Sequence, residues 1–600
     1  MEEEKKQTLK LVFVLIVLLI ITGLVIWFVY FRDNNSKKNN SVEEDVIEIT
    51  SEPKTLEIDY SEEEQKESYE EFNARINLLD LSIAGSGAYE ERNVIKINKE
   101  GTYYFYGEHE NANIIIEAKE NAVVKLVFDN VKLTSINTAV INCVSAKEVI
   151  INIPEGTRTV FDDGNSYSEF TGDNEPNSLI FSKADLTING KGSLRLTGNY
   201  KDALYCASLK IINTTVSVNA KEDGIKANSK VMLKDSNLTV SCDGDGIKTI
   251  NEGDLLDFIY IDSGSVKVTS KGDAIKAKNI LRIDNGPDIT ISTNGNVEDK
   301  TNKESIEDFR GYARDKDGNE VPKDTLKVSE QTSSKGISAG KEITISGGNI
   351  NIESANDAIY SNGYIIINSI NTNISTGSTG IHADNNIIVK EGTININKSY
   401  DGIEAQNIQI DNGEFSIIAK DNGININGGL NRKKTSIMLN PDRALLINGG
   451  IISINSQGDG LDSNGSIKVT GGIIVVSGPT NSKNGAIDYA DTFEMSGGKA
   501  IYFGAVGMWL DANENSSINT LSYIVSANNG DTIVIKDEVG NEVESITINK
   551  PMQRISFASE NIKEGSKYTL FVNDEAKTEV TATKGVTSDL NNQPINTDWN

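Results

Sequence analysis

From residue 202 onward the chain repeats one five-residue phrase: an acidic or polar residue, Gly or Ala, Ile or Leu, a variable residue, and usually a small one. It reads DALYC at Asp202, DGIKA at Asp223, DGIKT at Asp245, DAIKA at Asp273, KGISA at Lys335, DAIYS at Asp357 and TGIHA at Thr379. It continues as DGIEA at Asp401, NGINI at Asn422, DGLDS at Asp459 and GAIDY at Gly485. Intervals of 21 and 22 residues dominate, and the longer ones (28, 62, 37 and 26) are what loops inserted between repeats produce. A fixed period of this size marks a chain built from stacked copies of one short unit. Each period also holds two runs of alternating apolar residues, as in ITISGGNINIES from Ile343 and IIVKEGTININK from Ile387, which makes three short strands per repeat.

Three strands per repeat, closed by Gly, Asn and Asp, predict an all-β chain: a right-handed parallel β-helix, a solenoid of about 22 residues per coil. Coils stacked ~4.8 Å apart would bring the Ile of each phrase onto the Ile of the next and give a rod of roughly 50 Å over eleven coils. Gly or Ala at the second position suits a tight corner, where a larger residue clashes or needs φ > 0. Asn residues near corners are placed to form ladders between coils. The solenoid is expected over residues 76–510, with the irregular strand-like runs of 94–153 as its first coils and cap. Residues 511–585 lose the period and read as a small antiparallel β domain, followed by a tail over 586–600. Cys143, Cys206 and Cys242 form no CxxC pair and read as small buried residues.

Leu11 to Phe31 is an almost unbroken apolar run, long enough to cross a ~30 Å hydrocarbon core as a transmembrane helix. Trp27 and Tyr30 lie at one end and Lys5, Lys6 and Lys10 at the other, which puts residues 1–10 inside as a cytoplasmic tail and the body outside on a bacterial surface. No small-residue cleavage site or lipid-accepting Cys follows, so the anchor is expected to stay. Residues 32–75, crowded with Glu and Asp, read as an acidic flexible linker. The net charge of -29 excludes a nucleic-acid partner, whose phosphates need Lys and Arg, and favours a cation.

Stacking aligns the first-position acids Asp202, Asp223, Asp245, Asp273, Asp357, Asp401 and Asp459. Two carboxylates ~4.8 Å apart repel by roughly 1 kcal/mol in water and about 3.5 kcal/mol at an effective dielectric of 20, so such a column needs neutralising. Ca²⁺, which takes six to eight oxygen ligands, is one answer. The best individual sites are SCDGDGIK (Asp243 with Asp245) and GDGLDSNG (Asp459, Asp462 and Asn464). The other reading has each Asp capping backbone at its own corner. Lys226, Lys248 and Lys276 fill the fourth position of three successive phrases, either as partners of nearby carboxylates or as a track for uronate groups. Tyr205 and Tyr360 share that position and offer apolar platforms for sugar rings. His109 and His382 have no Ser or Cys motif near them, and no pair of acids stands out as a glycosidase would require.

The stretch NEPNSLIFSKADLTINGKGSLRLTGNYKD from Asn174, the DGIKA phrases, GDGLDSNGSIKVTGG and SGPTNSKNGAIDYADTFEMSGG resemble the bacterial extracellular carbohydrate-binding β-helix proteins. The resemblance covers about residues 85 to 575. It implies a fold like that of pectate lyases, bound calcium, and binding of cellulose-like or acidic polysaccharide without catalysis. By motif, the calcium role would fall on Asp223, Asp245, Asp273, Asp459 and Asp462. Lys335, Thr379, Asn422 and Gly485 depart from the phrase by lacking the acid. Three functions stand side by side: a non-catalytic surface carbohydrate-binding protein, a calcium-dependent polysaccharide lyase, and an adhesive rod for protein partners. Oligomeric state is not legible.

Overall fold

The computed structural model describes residue 49 and residues 51–168, 176–251, 257–295, 312–314, 320–322, 333–426 and 443–589. The expected cytoplasmic tail, the transmembrane run Leu11 to Phe31, the linker up to residue 48 and the tail beyond residue 589 lie outside the described residues. Among the described residues there is no α-helix, and none is long and apolar enough to cross a membrane.

Strands dominate because the apolar residues alternate over short runs rich in Ile and Val, whose branched side chains suit a pleated surface. Forty-five strands join one large sheet. Each strand of the repeated region pairs in parallel with its counterpart one repeat later, so the repeats run as three ladders. In the first ladder the phrase residues Leu204, Ile225, Ile247, Ile275, Ile337, Ile359, Ile381, Ile403, Ile424, Leu461 and Ile487 are partners in unbroken succession. All are buried. The third ladder aligns Val218, Val240, Val268, Ile291, Ile352 and Ile374 in the same way. The long intervals leave this register intact: Ile275 pairs with Ile337 across the 62-residue interval and Ile424 with Leu461 across the 37-residue one.

Upstream, the column continues through Ile180, Ile141, Ile114 and Ile95. Here the second position holds Leu179 and Val140 instead of Gly or Ala, which hides the phrase from sequence. The later glycines are there for space and not for a special backbone. Gly246 has no positive φ, and a Cβ on it would fall 2.4 Å from Val268 Cγ1 and 2.5 Å from the Ala274 carbonyl oxygen. Asn ladders do form, but on outward strand positions: Asn371 donates to Asn349 at 3.0 Å, Asn373 to Asn351 at 3.0 Å and Asn395 to Asn373 at 3.3 Å. The three cysteines are free and buried.

Pairing turns antiparallel at the far end. Lys499–Gly504 pairs with Met552–Ser559, which pairs with Thr520–Ala527. A separate four-stranded antiparallel sheet comprises Glu542–Thr547, Thr532–Asp537, Lys567–Val572 and Glu575–Thr581, and its Ile533, Ile535, Tyr568 and Leu570 share a core with Phe503 and Phe557.

Residues 51–69, expected as part of a solvated linker, instead lie along the ladders as a strap. Ser51 accepts a hydrogen bond from Asn386, the Glu52 carbonyl one from Tyr364, and the Lys54 carbonyl one from Arg282. Leu56, Ile58 and Tyr60 pack on Met232, Phe258, Tyr260 and Ile280, outward-facing apolar residues that the strap keeps from water. Glu63, Glu64 and Glu67 then meet Lys125, Lys210 and Lys191 at 2.6, 2.5 and 2.7 Å. The acids that make this segment look solvated have cations waiting for them on the body.

Ile247→Ala removes most of a fully buried side chain from the middle of the column and is expected to cost about 2–5 kcal/mol in chemical denaturation of the full chain. Thr239→Ala, on an exposed position of a neighbouring ladder, is expected to stay within about 0.5 kcal/mol.

Candidate functional site

The short strands of the first ladder set two parallel columns beside each other. One is the first position of each phrase; the other is the fourth, which reads Tyr205, Lys226, Lys248, Lys276, Ser338, Tyr360, His382, Glu404, Asn425, Asp462 and Asp488 in register. Because position three points into the core, position four points out.

First-position side chains reach one repeat forward. Oδ1 of Asp202 accepts the backbone N–H of Asp223 at 2.9 Å, Asp223 that of Asp245 at 2.8 Å, Asp245 that of Asp273 at 2.9 Å, and Asp273 that of Lys335 at 2.8 Å. The same cap recurs from Asp357 to Thr379, Asp401 to Asn422, Asn422 to Asp459 and Asp459 to Gly485. An Asn makes this bond as well as an Asp, which explains its presence at 422. Capping uses one oxygen and leaves the other to face the fourth-position column.

In the first four repeats that second oxygen meets lysine. Lys226 bridges Asp202 and Asp223 at 2.7 and 2.9 Å, Lys248 bridges Asp223 and Asp245 at 2.5 and 3.3 Å, and Lys276 bridges Asp245 and Asp273 at 3.5 and 3.3 Å. Asp202 and Asp223 differ in how far their partners offset burial. Burial pushes Asp202 up, and its one lysine offsets only part of that. Burial would do the same to Asp223, but Lys248 and Lys226 together hold its carboxyl below the usual range. Burial opposes the charge on Lys226, yet Asp202 and Asp223 raise its ammonium well above the ordinary lysine range. The neutralisation expected of a metal is performed here by protein cations.

Midway, His382 lies between Asp357 (Nδ1 to Oδ2, 3.4 Å) and Asp384 (Nε2 to Oδ1, 3.7 Å). Burial works against its charge, but Asp357, Glu404 and Asp384 outweigh that and raise it. Tyr360 packs on the His382 ring edge-on at 5.1 Å with Lys335 over its own face at 4.8 Å, so at least one side of this platform is taken. Tyr205 is stacked on Phe181 at 5.1 Å and 15°.

Beyond His382 the column changes sign. Glu404, Asn425, Asp462 and Asp488 follow in succession, opposite Asp401, Asn422 and Asp459. Asn422 donates to Asp462 at 2.9 Å. Burial first, then Asp459, Asp488, Asp421 and Glu404, push the Asp462 carboxyl up to about 8. Asn425, 6% exposed and in register between Glu404 and Asp462, has a buried Oδ1 that accepts no hydrogen bond. An orphaned carbonyl oxygen among carboxylates is a set of hard oxygen donors. Among the described residues no three His, Cys, Asp or Glu side chains already converge as a metal centre, so an ion here would draw on amide and backbone oxygens as well.

The residues singled out from sequence thus separate. Asp202, Asp223, Asp245 and Asp273 are brought together, but with Lys226, Lys248 and Lys276. Asp243 sits apart on the surface, paired with Lys271 at 2.8 Å with both side chains more than half exposed. Asp459 and Asp462 share the acidic stretch, whereas Asn464 lies past the other end of the strand Leu461–Ser463. Sequence reasoning missed Glu404, Asn425 and Asp488. Their signal was the fourth letter of DGIEA, NGINI and GAIDY, the same position that drew attention to the lysines.

Comparison with known proteins gives a family model described as carbohydrate-binding domain-containing protein, matching residues 91–380 and 377–549. A carbohydrate-binding domain-containing protein of Acetivibrio thermocellus is 33% identical over 128 residues, 21% of this chain and 45% of that relative. The chain therefore aligns with under half the length of this curated relative. Among solved structures, a polysaccharide lyase-like protein from C. thermocellum, a gadolinium derivative, is 29% identical over 37% of this chain and 91% of its own, with a TM-score of 0.36.

Asp223→Ala leaves the part-buried Lys226 and Lys248 with one carboxylate each and the Asp245 N–H uncapped; a loss of about 1–3 kcal/mol is expected from thermal denaturation. Asp243→Ala, breaking an exposed pair, should cost under about 1 kcal/mol. A carboxyl held low contributes stability above its unfolded value and loses it as pH falls through the folded one, so the Asp223→Ala deficit should shrink in acid below about pH 4.

Proposed function

The chain belongs to the family of carbohydrate-binding domain-containing proteins, and from that premise we propose that it is a non-catalytic cell-surface protein that binds cellulose-like or uronic-acid-containing polysaccharide with the help of calcium. Its body, on this reading, is a right-handed parallel β-helix over residues 76–510 with a β domain over 511–585. The apolar run Leu11 to Phe31 holds it in the membrane with the N-terminus inside.

The observation that carries the calcium assignment is the run Glu404, Asn425, Asp462 and Asp488, one above another in register. This stretch fits a hard cation: its donors are oxygens, one carbonyl oxygen is orphaned, and Asp462 is kept from ionising first by burial and then by its acidic neighbours. Asn425, Asp459, Asp462 and Asp488, on adjacent repeats, are the residues that would hold Ca²⁺, with Glu404 adding negative charge from one repeat further off. The ion would supply positive charge on an acidic surface, where sugar carboxylates and hydroxyls gain a point of attachment. Asp202, Asp223, Asp245 and Asp273 do not fit, since lysines occupy their outward oxygens.

The state of the basic groups favours binding over cleavage. A lyase needs a free base near the metal, and Lys226 is held protonated by two carboxylates while Lys248 and Lys276 are each bridged between two. Arg282 lies under the strap, bonded to the Lys54 carbonyl with Glu342 at 3.4 Å.

Polysaccharide pull-down with and without a chelator tests the whole reading. Retention on polygalacturonate or cellulose should fall about tenfold with EDTA and recover with Ca²⁺, and Asp462→Asn should mimic the chelator. Retention indifferent to EDTA would remove calcium from the reading; no retention on any polymer would leave the adhesive rod. The raised Asp462 carboxyl gives a second check. Its stabilisation is complete below the unfolded value near 4 and is lost as pH rises towards about 8. Without Ca²⁺ the melting temperature should therefore decline across that window, and Ca²⁺ should restore it most at the alkaline end.

A further inference from the structure

Lys550 lies in the turn between Glu542–Thr547 and Met552–Ser559, where the C-terminal strands come against the third ladder. Its ammonium donates to Asn455 Oδ1 at 2.9 Å and to the Ser456 carbonyl at 2.7 Å. Both partners are neutral, and among the described residues no carboxylate pairs with it. On a chain of net charge -29, whose part-buried lysines at 226 and 248 each hold two carboxylates, this part-buried lysine holds none. Burial pulls it down to about 8, with no neighbouring charge to hold it up. Two of its three ammonium protons are used, and one remains.

The group borders a cavity of about 260 Å³ lined by Asn455, Ser456, Gln457, Thr480, Asn481 and Lys550. That is below the ~300–1,000 Å³ usual for drug-sized ligands and so suits one small unit. Apart from the ammonium, the lining is amide and hydroxyl: groups that both donate and accept, as sugar hydroxyls require. A single ammonium matches one carboxylate better than a doubly charged phosphate, which would call for more cationic donors. Gln457 is two residues before Asp459, so the cavity adjoins a repeat within the acidic part of the column.

We propose that the Lys550 cavity is a subsite for one carboxylate-bearing sugar residue, its carboxylate taken by the Lys550 ammonium and its hydroxyls by Asn455, Gln457, Thr480 and Asn481. This rests on the polysaccharide-binding reading and adds to it a second, calcium-independent point of attachment. It selects for charge: a neutral hexose would leave the ammonium buried without a counter-ion, and methyl esterification of the acid would do the same.

The test is acylation of the full chain with an amine-reactive acetylating reagent, read by peptide mass spectrometry, in EDTA to silence any cation site. Trigalacturonate should protect Lys550 severalfold, while cellotriose and the methyl-esterified trisaccharide should not. Lys550→Gln, which keeps a hydrogen-bond donor but not the charge, should weaken trigalacturonate about tenfold in calorimetry and leave cellotriose unchanged. Unaltered labelling of Lys550 at a trigalacturonate concentration that saturates binding would overturn the subsite and leave polysaccharide binding standing. Absence of binding by either sugar, together with no retention on any polymer, would overturn both.

Discussion

Parallel pairing sets each residue against its counterpart one repeat later, at about the ~4.8 Å spacing of hydrogen-bonded strands. For Ile this is an advantage, since like surfaces stack and exclude water along the whole ladder. For a charged residue it is a difficulty, because every ionised position meets its own kind. The first-position aspartates accept that difficulty because they do necessary work: each closes an N–H at the next corner that the strands themselves leave open. Everything polar on this side of the protein follows from how the remaining oxygen of each Asp is satisfied.

Two solutions occur in one column. Where Lys226, Lys248 and Lys276 occupy the fourth position, the charges alternate and every carboxylate has a lysine beside it. Where Glu404, Asn425, Asp462 and Asp488 occupy it, acid faces acid, and burial together with these neighbours keeps Asp462 protonated well above the usual carboxylate range. His382 stands between the two regimes, in contact with Asp357 on one side and Asp384 on the other. A charge-paired surface and an acidic one can thus be made from the same repeat by changing one letter in five.

Much of this could be read from the chain. The phrase located the apolar column, its insertions and the Asp column, since a strict period carries register through loops of any length. It did not locate the repeats holding Ile95, Ile114, Ile141 and Ile180, because Val140 and Leu179 fit the corner there and the spacing is irregular. The partner of the Asp column was harder to read. Composition suggested a metal, and the phrase itself also offered the lysines three residues along as partners of the carboxylates, which is the role they take in the first four repeats. The strap was hidden for a related reason: Glu63, Glu64 and Glu67 look like solvated charges until Lys125, Lys210 and Lys191, distant in sequence, are seen opposite them.

That strap also determines how the body would feel a pull. Its contacts run backward through the repeats, from Asn386 and Tyr364 to Arg282, then to Lys210 and Asn152. Tension arriving at residue 51 from the N-terminal side would load these attachments one after another, as in peeling tape, before any ladder of paired strands bore it. Individually weak bonds yielding in sequence take up extension at low force. The protein therefore carries, laid against its own flank, a length of chain that can be paid out while the stacked repeats stay in register.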